Sequence, residues 1–505
     1  MYFTSYEFIG FLTITVLLYY VVPKKAQWVM LLVMSLLFYA INGPKNVIFI
    51  AFSCVTAYFS ALFIESKTKH QKKIKNDLSL PKEEKDKIKA HDKKIKNIVL
   101  FVTVVLNVSV LVAVKESNIL TVLGISYYTL RTIGYIVDVA RGDVTAEQNF
   151  LKLLLYLSFF PVVIQGPITD YGRLTESLYA EHRFSIENFE TGLIRVLFGF
   201  FKKLAIADRA YTGVAAIVEN PDTYNGAWVL VGMLLYTIEL YADFTGGIDI
   251  TIGISEMLGV TVQENFNRPF FAVSLKDYWR RWHISMSEWF KTYVFYPISG
   301  SRLMRKALKS SKKHFGEKIG KKVPVFVASG FVWAITGLWH GIKLNYVTWA
   351  MLHFLILMVS EILEPAYAKF HKKFKFSNTF PYRIFMSIRT VFIVSVLMQF
   401  DIFTSVPVYF LRLVSVFTIG KWGEVMQGGF IELGLTTSDI IIILAGCVIL
   451  FTLSILKGDG DRIKEWLQSH TLARPLICMA IFVCVILFSK YGAGYDAGQF
   501  IYTRF

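Results

Sequence analysis

Charge and cysteine are both scarce in this chain of 505 residues. Only 18% of it is Asp, Glu, Lys or Arg, where soluble domains carry about 25%, and that shortfall argues against a soluble globular protein. The four cysteines, Cys54, Cys447, Cys478 and Cys484, all fall in apolar stretches. Without metal-type spacing they indicate neither a zinc site nor a disulfide framework, and each reads as inert packing. The first seven residues contain no Lys or Arg, and no small-residue cleavage site follows the first apolar stretch. The N-terminus therefore reads as a retained segment, not a cleaved secretory signal. There is no clear internal repeat, no Ser/Gly-rich linker and no polar segment large enough for a soluble domain. Residues 1–505 read as a single membrane domain.

What the chain has in abundance is apolar sequence: 54% hydrophobic and 16% aromatic. It comes in blocks at 5–22, 27–41, 47–64, 98–114, 122–139, 151–164, 192–206, 227–241, 323–342, 346–360, 384–400, 440–456 and 476–488. A bilayer core is crossed by about 20 apolar residues in helix, so roughly ten to twelve of these blocks are expected to span, the shorter ones being re-entrant or buried in protein. The fold class is an all-α polytopic membrane protein. Lys24-Lys25 after the first block, and twelve lysines against five acidic residues in 66–96, place both regions on the cytoplasmic side and the N-terminus outside. The formal net charge of +17 sits mainly in 66–96, 302–322 and 369–375. It is explained by that topology and by attraction to anionic headgroups of the lipid bilayer. No nucleic-acid motif accompanies it. Segment 66–96 is expected to be a charged helical hairpin about Leu80-Pro81 or partly disordered.

The middle, 159–341, differs from both ends because Pro, Gly, Asp, Arg and His interrupt its apolar stretches. Irregular polar backbone at membrane depth is tolerated where it is buried in protein or lines a water-filled cavity, so this is the expected catalytic core. Within it, 274–298 carries Trp279, Trp282, Met286, Trp289/Phe290 and Tyr293 at helical spacing among Lys276, Arg280, Arg281 and Lys291. The pattern predicts a basic amphipathic helix at the membrane surface, capped by Ser274 and ended by Pro297.

Of nine histidines, two follow tryptophan: Trp282-His283 and Trp339-His340. His340 closes an uncharged run from Val323 within Gly337-Leu338-Trp339-His340-Gly341. An ionisable group at membrane depth is costly and needs a structural partner or a role. Gly337 and Gly341 allow close backbone approach or a helix break beside the imidazole, and Trp339 supplies an amphipathic wall. A neutral imidazole there suits a general base that takes a proton from a hydroxyl attacking a thioester. His353 lies in an aliphatic run and reads as a satisfied core histidine, while His70, His91, His314 and His371 lie in charged loops and read as solvated. Asp243 and Asp249, in Tyr241-Ala-Asp-Phe-Thr-Gly-Gly-Ile-Asp249, must be paired or protonated if buried. Structural ion pairing, with Arg280 and Arg281 as candidate partners, is favoured over direct catalysis or orientation of a histidine.

Four stretches together resemble the membrane-bound O-acyltransferase family, in particular its bacterial alginate O-acetyltransferase-like branch. They are Gly124-Ile-Ser-Tyr-Tyr-Thr with Asp138; YADFTGGIDITIG at 241–253; NFNRPFFAVSLKDYWRRWHISMS at 265–287; and Gly337–Gly341. The ending Phe500-Ile-Tyr-Thr-Arg-Phe505 and the aromatic-Pro to Gly-Pro segment 160–167 are also similar. The latter departs from the branch at Val162 and Gln165, and the acidic signature departs at Gly247-Ile248. The resemblance implies a funnel-shaped fold of many helices with an intramembrane site, His340 as principal catalytic histidine and His283 as the second. It also implies a cytoplasmic acyl thioester donor and an acceptor that arrives from outside or through a partner. Trp339, Trp282, Arg280, Arg281, Asp243, Asp249 and Asn267 are the expected supporting residues.

The expected function is O-acyl transfer, with acetyl the favoured group, from acetyl-CoA or an acyl carrier protein to a hydroxyl for modification of exported or cell-surface polysaccharide. Expected partners are the donor or its carrier and an extracytoplasmic acyltransferase or polysaccharide export protein; no tightly bound cofactor or metal is expected. D-alanyl transfer to teichoic acid from a carrier-protein thioester is the alternative. A proton- or ion-coupled transporter and a non-enzymatic scaffold are remoter readings.

Overall fold

The computed structural model describes residues 1–117, 122–458, 462–492 and 495, and among these every regular element is a helix. The ending 500–505 lies outside the described residues. Among the described residues, eight helices are long and apolar enough to cross a membrane: Lys24–Ile41, Pro44–Asn76, Lys82–Glu116, Trp228–Met257, Val323–His340, Leu344–Lys373, Phe380–Asp401 and Thr437–Lys457. A ninth arises if Arg462–Ser469 and Ala473–Phe488, bent by 119°, form one span, and Tyr6–Val21 and Val406–Thr418 are shorter apolar helices. The chain is an all-helical, multi-pass membrane protein. The block at 151–164 is not a continuous helix. It breaks at Phe159 between Phe150–Ser158 and the single turn Phe160–Val163, and residues 153–169 are buried throughout, as irregular backbone at this depth requires.

The chain divides into two compact units, one of residues 1–196 with 250–263 and one of 197–249 with 264–505. In the first, the long helices Pro44–Asn76 and Lys82–Glu116 lie side by side. Ser60 and Thr103 hydroxyls meet at 2.7 Å, and the Asn107 amide donates to Thr56 Oγ1 at 3.0 Å. Such small polar contacts hold apolar helices together where lipid supplies no hydrophobic contrast. The basic segment 66–96 is therefore a helical hairpin, with a turn at 77–81. His70 is not merely solvated, as expected from its charged surroundings. Its Nδ1 lies 2.6 Å from the buried Asp92 carboxylate, which also faces Lys67 at 3.4 Å.

The second unit contains most of the expected catalytic core. Here 274–298 departs from the single amphipathic helix that its spacing predicts. Ser274 does cap, accepting from Asp277 N–H, but the helix Leu275–Trp279 ends at Arg280 and a new one runs Ile284–Phe290. A wide turn follows at Lys291–Phe295, and Pro297 lies inside the last short helix, Tyr296–Ser299. The cause lies upstream. Asn267 N–H donates to Arg281 O at 2.9 Å and Ile284 N–H to Asn265 O at 3.0 Å, so the 265–267 strip takes backbone groups a continuous helix would use. The aromatic face is buried in protein instead of lying on a membrane surface: Tyr278, Trp282, Met286 and Trp289 are all core residues.

Candidate functional site

His340 is the last residue of the helix Val323–His340, and Gly341 donates its N–H to Gly337 O at 3.0 Å. Both glycines are needed for the next helix, Leu344–Lys373, to come close. A Cβ on Gly337 would sit 2.9 Å from Ala350 Cβ and 3.0 Å from Tyr346 O, and one on Gly341 would sit 2.7 Å from the Tyr346 ring. The result is a buried imidazole walled by rings. Trp339 lies 4.9 Å away edge-on, Trp349 lies 5.0 Å away, and Tyr346 stacks at 6.3 Å with 24° between planes. The expected Trp339 wall is present, and two further walls from the following helix were not among the sequence candidates. The apolar run after Gly341 conceals them, because only the packing of the two helices shows which of its faces reaches His340.

His283 is fully buried and occupies a left-handed backbone conformation, φ 46° and ψ 54°, at the break between the two short helices. That region is strained for a side chain of this size, and such strain persists only where surrounding contacts over-determine it. Asn265 provides them. Its Oδ1 accepts from Ser285 N–H at 3.0 Å and from Ser285 Oγ–H at 2.9 Å, and it faces His283 Nδ1 at 3.4 Å. An amide oxygen only accepts, so His283 carries its proton on Nδ1 and presents a lone pair at Nε2. Burial pushes its pKa down to about 3, so the ring is neutral at physiological pH. Phe244 contacts the imidazole at 4.9 Å and Trp282 at 5.8 Å. A continuous run of ring contacts then leads from Trp282 through Tyr278 and Trp279 to Trp349, and so to His340.

The resemblance implied Asn267, whereas the residue at His283 is Asn265; both sit in the same Asn-Phe-Asn triplet, and only the fold separates them. Asn267 contributes backbone pairing to Arg281. Replacing Asn265 by Ala is expected to remove the shared acceptor of Ser285 N–H and Oγ–H at a cost of about 1–3 kcal/mol, read as a lowered unfolding midpoint in detergent. Asn267→Ala is expected to be close to wild type.

Asp243 and Asp249 pair with lysines, not with Arg280 and Arg281. Lys203 Nζ lies 2.6 Å from Asp243 and 2.8 Å from Asp208, and Lys202 Nζ lies 2.6 Å from Asp249. Lys202 and Lys203 are consecutive, and the wide π-helical turn Phe201–Ala207 lets both reach the helix Trp228–Met257. Gly246 permits that approach, since a Cβ there would lie 2.9 Å from Gly199 O. Both carboxylates are thus ion-paired. Arg281 bonds Asp277 at 3.0 Å, and Arg280 is exposed. In the first unit, Gln165 is fully buried, and a Cβ on Gly124 would meet Val163 O at 2.4 Å, so the segments beginning at Gly124 and Phe160 touch. Among the described residues no group of three His, Cys, Asp or Glu is placed to hold a metal ion.

Residues 145–400 match the model of the membrane-bound O-acyltransferase family. The chain is 34% identical over 250 residues to a probable alginate O-acetylase of Pseudomonas aeruginosa, covering 49% of this chain and 44% of that protein. It is 28% identical over 277 residues to a peptidoglycan O-acetyltransferase of Helicobacter pylori (49% of each). It is 29% identical over 266 residues to a teichoic acid D-alanyltransferase of Bacillus subtilis, covering 51% and 62% respectively. The matches thus span about half the length of these relatives. The family match takes in both Trp-His pairs, the Asn265 strip and just over half of the sequence, and this protein belongs to the membrane-bound O-acyltransferase family.

Proposed function

We propose that this protein is a membrane O-acetyltransferase that moves an acetyl group from a cytoplasmic thioester to a hydroxyl acceptor, for modification of exported or cell-surface polysaccharide. The observation that carries the reading is the buried His340 imidazole at a helix end, ringed by Trp339, Tyr346 and Trp349, inside the family-matched stretch. In a low-dielectric surround a neutral imidazole is a competent general base. One ring nitrogen takes the hydroxyl proton as the oxygen attacks the thioester carbonyl, and the proton then passes to the departing thiolate. General-base help of this kind is worth about 10²–10⁴-fold.

His283 is proposed to orient the acceptor. A lone pair at Nε2 accepts from a hydroxyl, whereas polarising a carbonyl or its oxyanion would need a donor there, and burial opposes the second proton. The exposed Arg280 and the lysines of 66–96 are proposed to draw in the anionic donor, acetyl-CoA or an acyl carrier protein, from the cytoplasmic side, with the N-terminus outside. The acceptor is the polysaccharide or an extracytoplasmic acyltransferase that passes the group onward.

D-alanyl transfer is the second reading, supported by the Bacillus subtilis relative. The test is transfer from labelled donors in proteoliposomes holding the purified protein. Acetyl transfer from acetyl-CoA or acetyl-carrier protein in excess over D-alanyl transfer is expected. D-alanine transfer from a carrier-protein thioester, with no acetyl transfer, would overturn the acetyl assignment.

A further inference from the structure

The helix Lys82–Glu116 has 35 residues, about 52 Å at 1.5 Å per residue, and a bilayer core takes only about 30 Å of that length. Its charged stretch ends at Lys96, and residues 97–114 are uncharged. The boundary of the hydrocarbon core therefore falls close to Asn97. One face of the helix is covered by protein. Asp92 is buried against His70 and Lys67, while Thr103 and Asn107 are buried against Ser60 and Thr56 of the neighbouring helix.

The opposite face carries a shallow groove of about 460 Å³, lined by Ala90, Lys93, Lys94, Asn97, Ile98 and Phe101. That volume lies within the range of small-molecule clefts, about 300–1,000 Å³. The lining residues recur at helical spacing, so the groove runs along the helix and crosses the level of Asn97. Its two ends differ in chemistry. Lys93 and Lys94 stand on the charged side, and Ile98 and Phe101, 51% and 69% exposed, stand on the apolar side. No acidic residue lines the groove. Lys67, Lys69, Lys87 and Lys89 of the same hairpin each have an acidic partner, whereas Lys93 and Lys94 form no ion pair among the described residues.

Two unpaired ammonium groups beside an exposed apolar strip complement a molecule with an anion at one end and hydrocarbon at the other. A soluble anion would leave Ile98 and Phe101 unused, and a zwitterionic lipid would bring a cation of its own to the lysines. We propose that this groove binds one anionic phospholipid, with its phosphate held by Lys93, Lys94 and the Asn97 amide and an acyl chain along Ile98 and Phe101. The site is a single position on one helix, distinct from the diffuse attraction of basic loops to headgroups. It stands independently of the acyl-transfer reading. A lipid seated there fixes the depth of the hairpin's base in its leaflet.

The test is native mass spectrometry of the full-length protein in detergent, titrated with phosphatidylglycerol or phosphatidylcholine, which counts the lipids retained. Lys93→Gln/Lys94→Gln is expected to retain one phosphatidylglycerol fewer than wild type. It should need about 10- to 30-fold more lipid to regain it, the worth of two lysines at an anionic headgroup. Phosphatidylcholine retention is expected to be the same in both proteins. Lys72→Gln/Lys75→Gln removes the same charge from exposed positions further along the hairpin and is expected to match wild type. All six lining positions are exposed, so the groove variant should keep the wild-type unfolding midpoint in lipid-free detergent. Equal losses from both lysine pairs would show diffuse charge attraction only. An unchanged count in Lys93→Gln/Lys94→Gln would show that no lipid is held there. Displacement of the lipid by an equal concentration of soluble glycerol phosphate would show an anion site with no role for the acyl chain. Each of these three results would overturn the proposal.

Discussion

Lys203→Met is expected to destabilise the protein by about 3–5 kcal/mol, the cost of stranding buried charge when one partner of an interior ion pair is removed. Lys203 is 1% exposed and lies between Asp243, also 1% exposed, and Asp208, 5% exposed. Tyr495 donates to the second oxygen of Asp208 at 3.0 Å. Methionine keeps most of the lysine's volume, so the loss is electrostatic and not a cavity effect. The effect should appear as a large fall in the unfolding midpoint in detergent, with lower yield from membranes. Neutralising the stranded carboxylates in the same protein, with Asp208→Asn and Asp243→Asn, should restore much of the loss. Near wild-type stability of Lys203→Met alone would show that the cluster is hydrated and not the buried lynchpin described here.

His340→Ala is expected to lower acyl transfer by about 10²–10⁴-fold, the range of a general base, while leaving the fold intact. Alanine keeps the backbone N–H and C=O of residue 340, so the helix retains its hydrogen bonds and Gly341 N–H still reaches Gly337 O. The ring walls from Trp339, Tyr346 and Trp349 remain. The loss should therefore fall on kcat more than on the KM for the donor, because a base that acts on the acceptor proton contributes to the transition state and little to donor binding.

How far these features could be read from the residues depends on what fixes them. The helical, membrane-embedded class follows from long apolar runs, which only a helix or a closed barrel can carry across a bilayer. The hairpin at 66–96 was one of the two forms its composition allowed, with Leu80-Pro81 as the turn between charged helical stretches and partial disorder as the other. His340 was legible because an ionisable side chain at the end of an uncharged run is anomalous in itself. The break at Arg280–His283 was not legible, since helical spacing continues through 274–298 and the competing strip at 265–267 is a tertiary partner. The choice of Asn265 over Asn267 was hidden for the same reason. Lys202 and Lys203 were missed as the partners of Asp249 and Asp243 because they lie some forty residues away in sequence, and a π-helical turn aims them. His353 stands between Leu352 and Phe354 in sequence, but the indoles packed against it, Trp349, Trp333 and Trp279, come from one turn back and from two other helices.

The central claim is that His340 acts as the base in transfer of an acyl group from a thioester to a hydroxyl. It is tested most directly by single-turnover transfer of labelled acetyl in proteoliposomes, comparing wild type with His340→Ala at matched unfolding midpoints. The account predicts label on the hydroxyl acceptor with wild type, and a rate at least about 100-fold lower with His340→Ala. Wild-type transfer rates in a folded His340→Ala protein would contradict it.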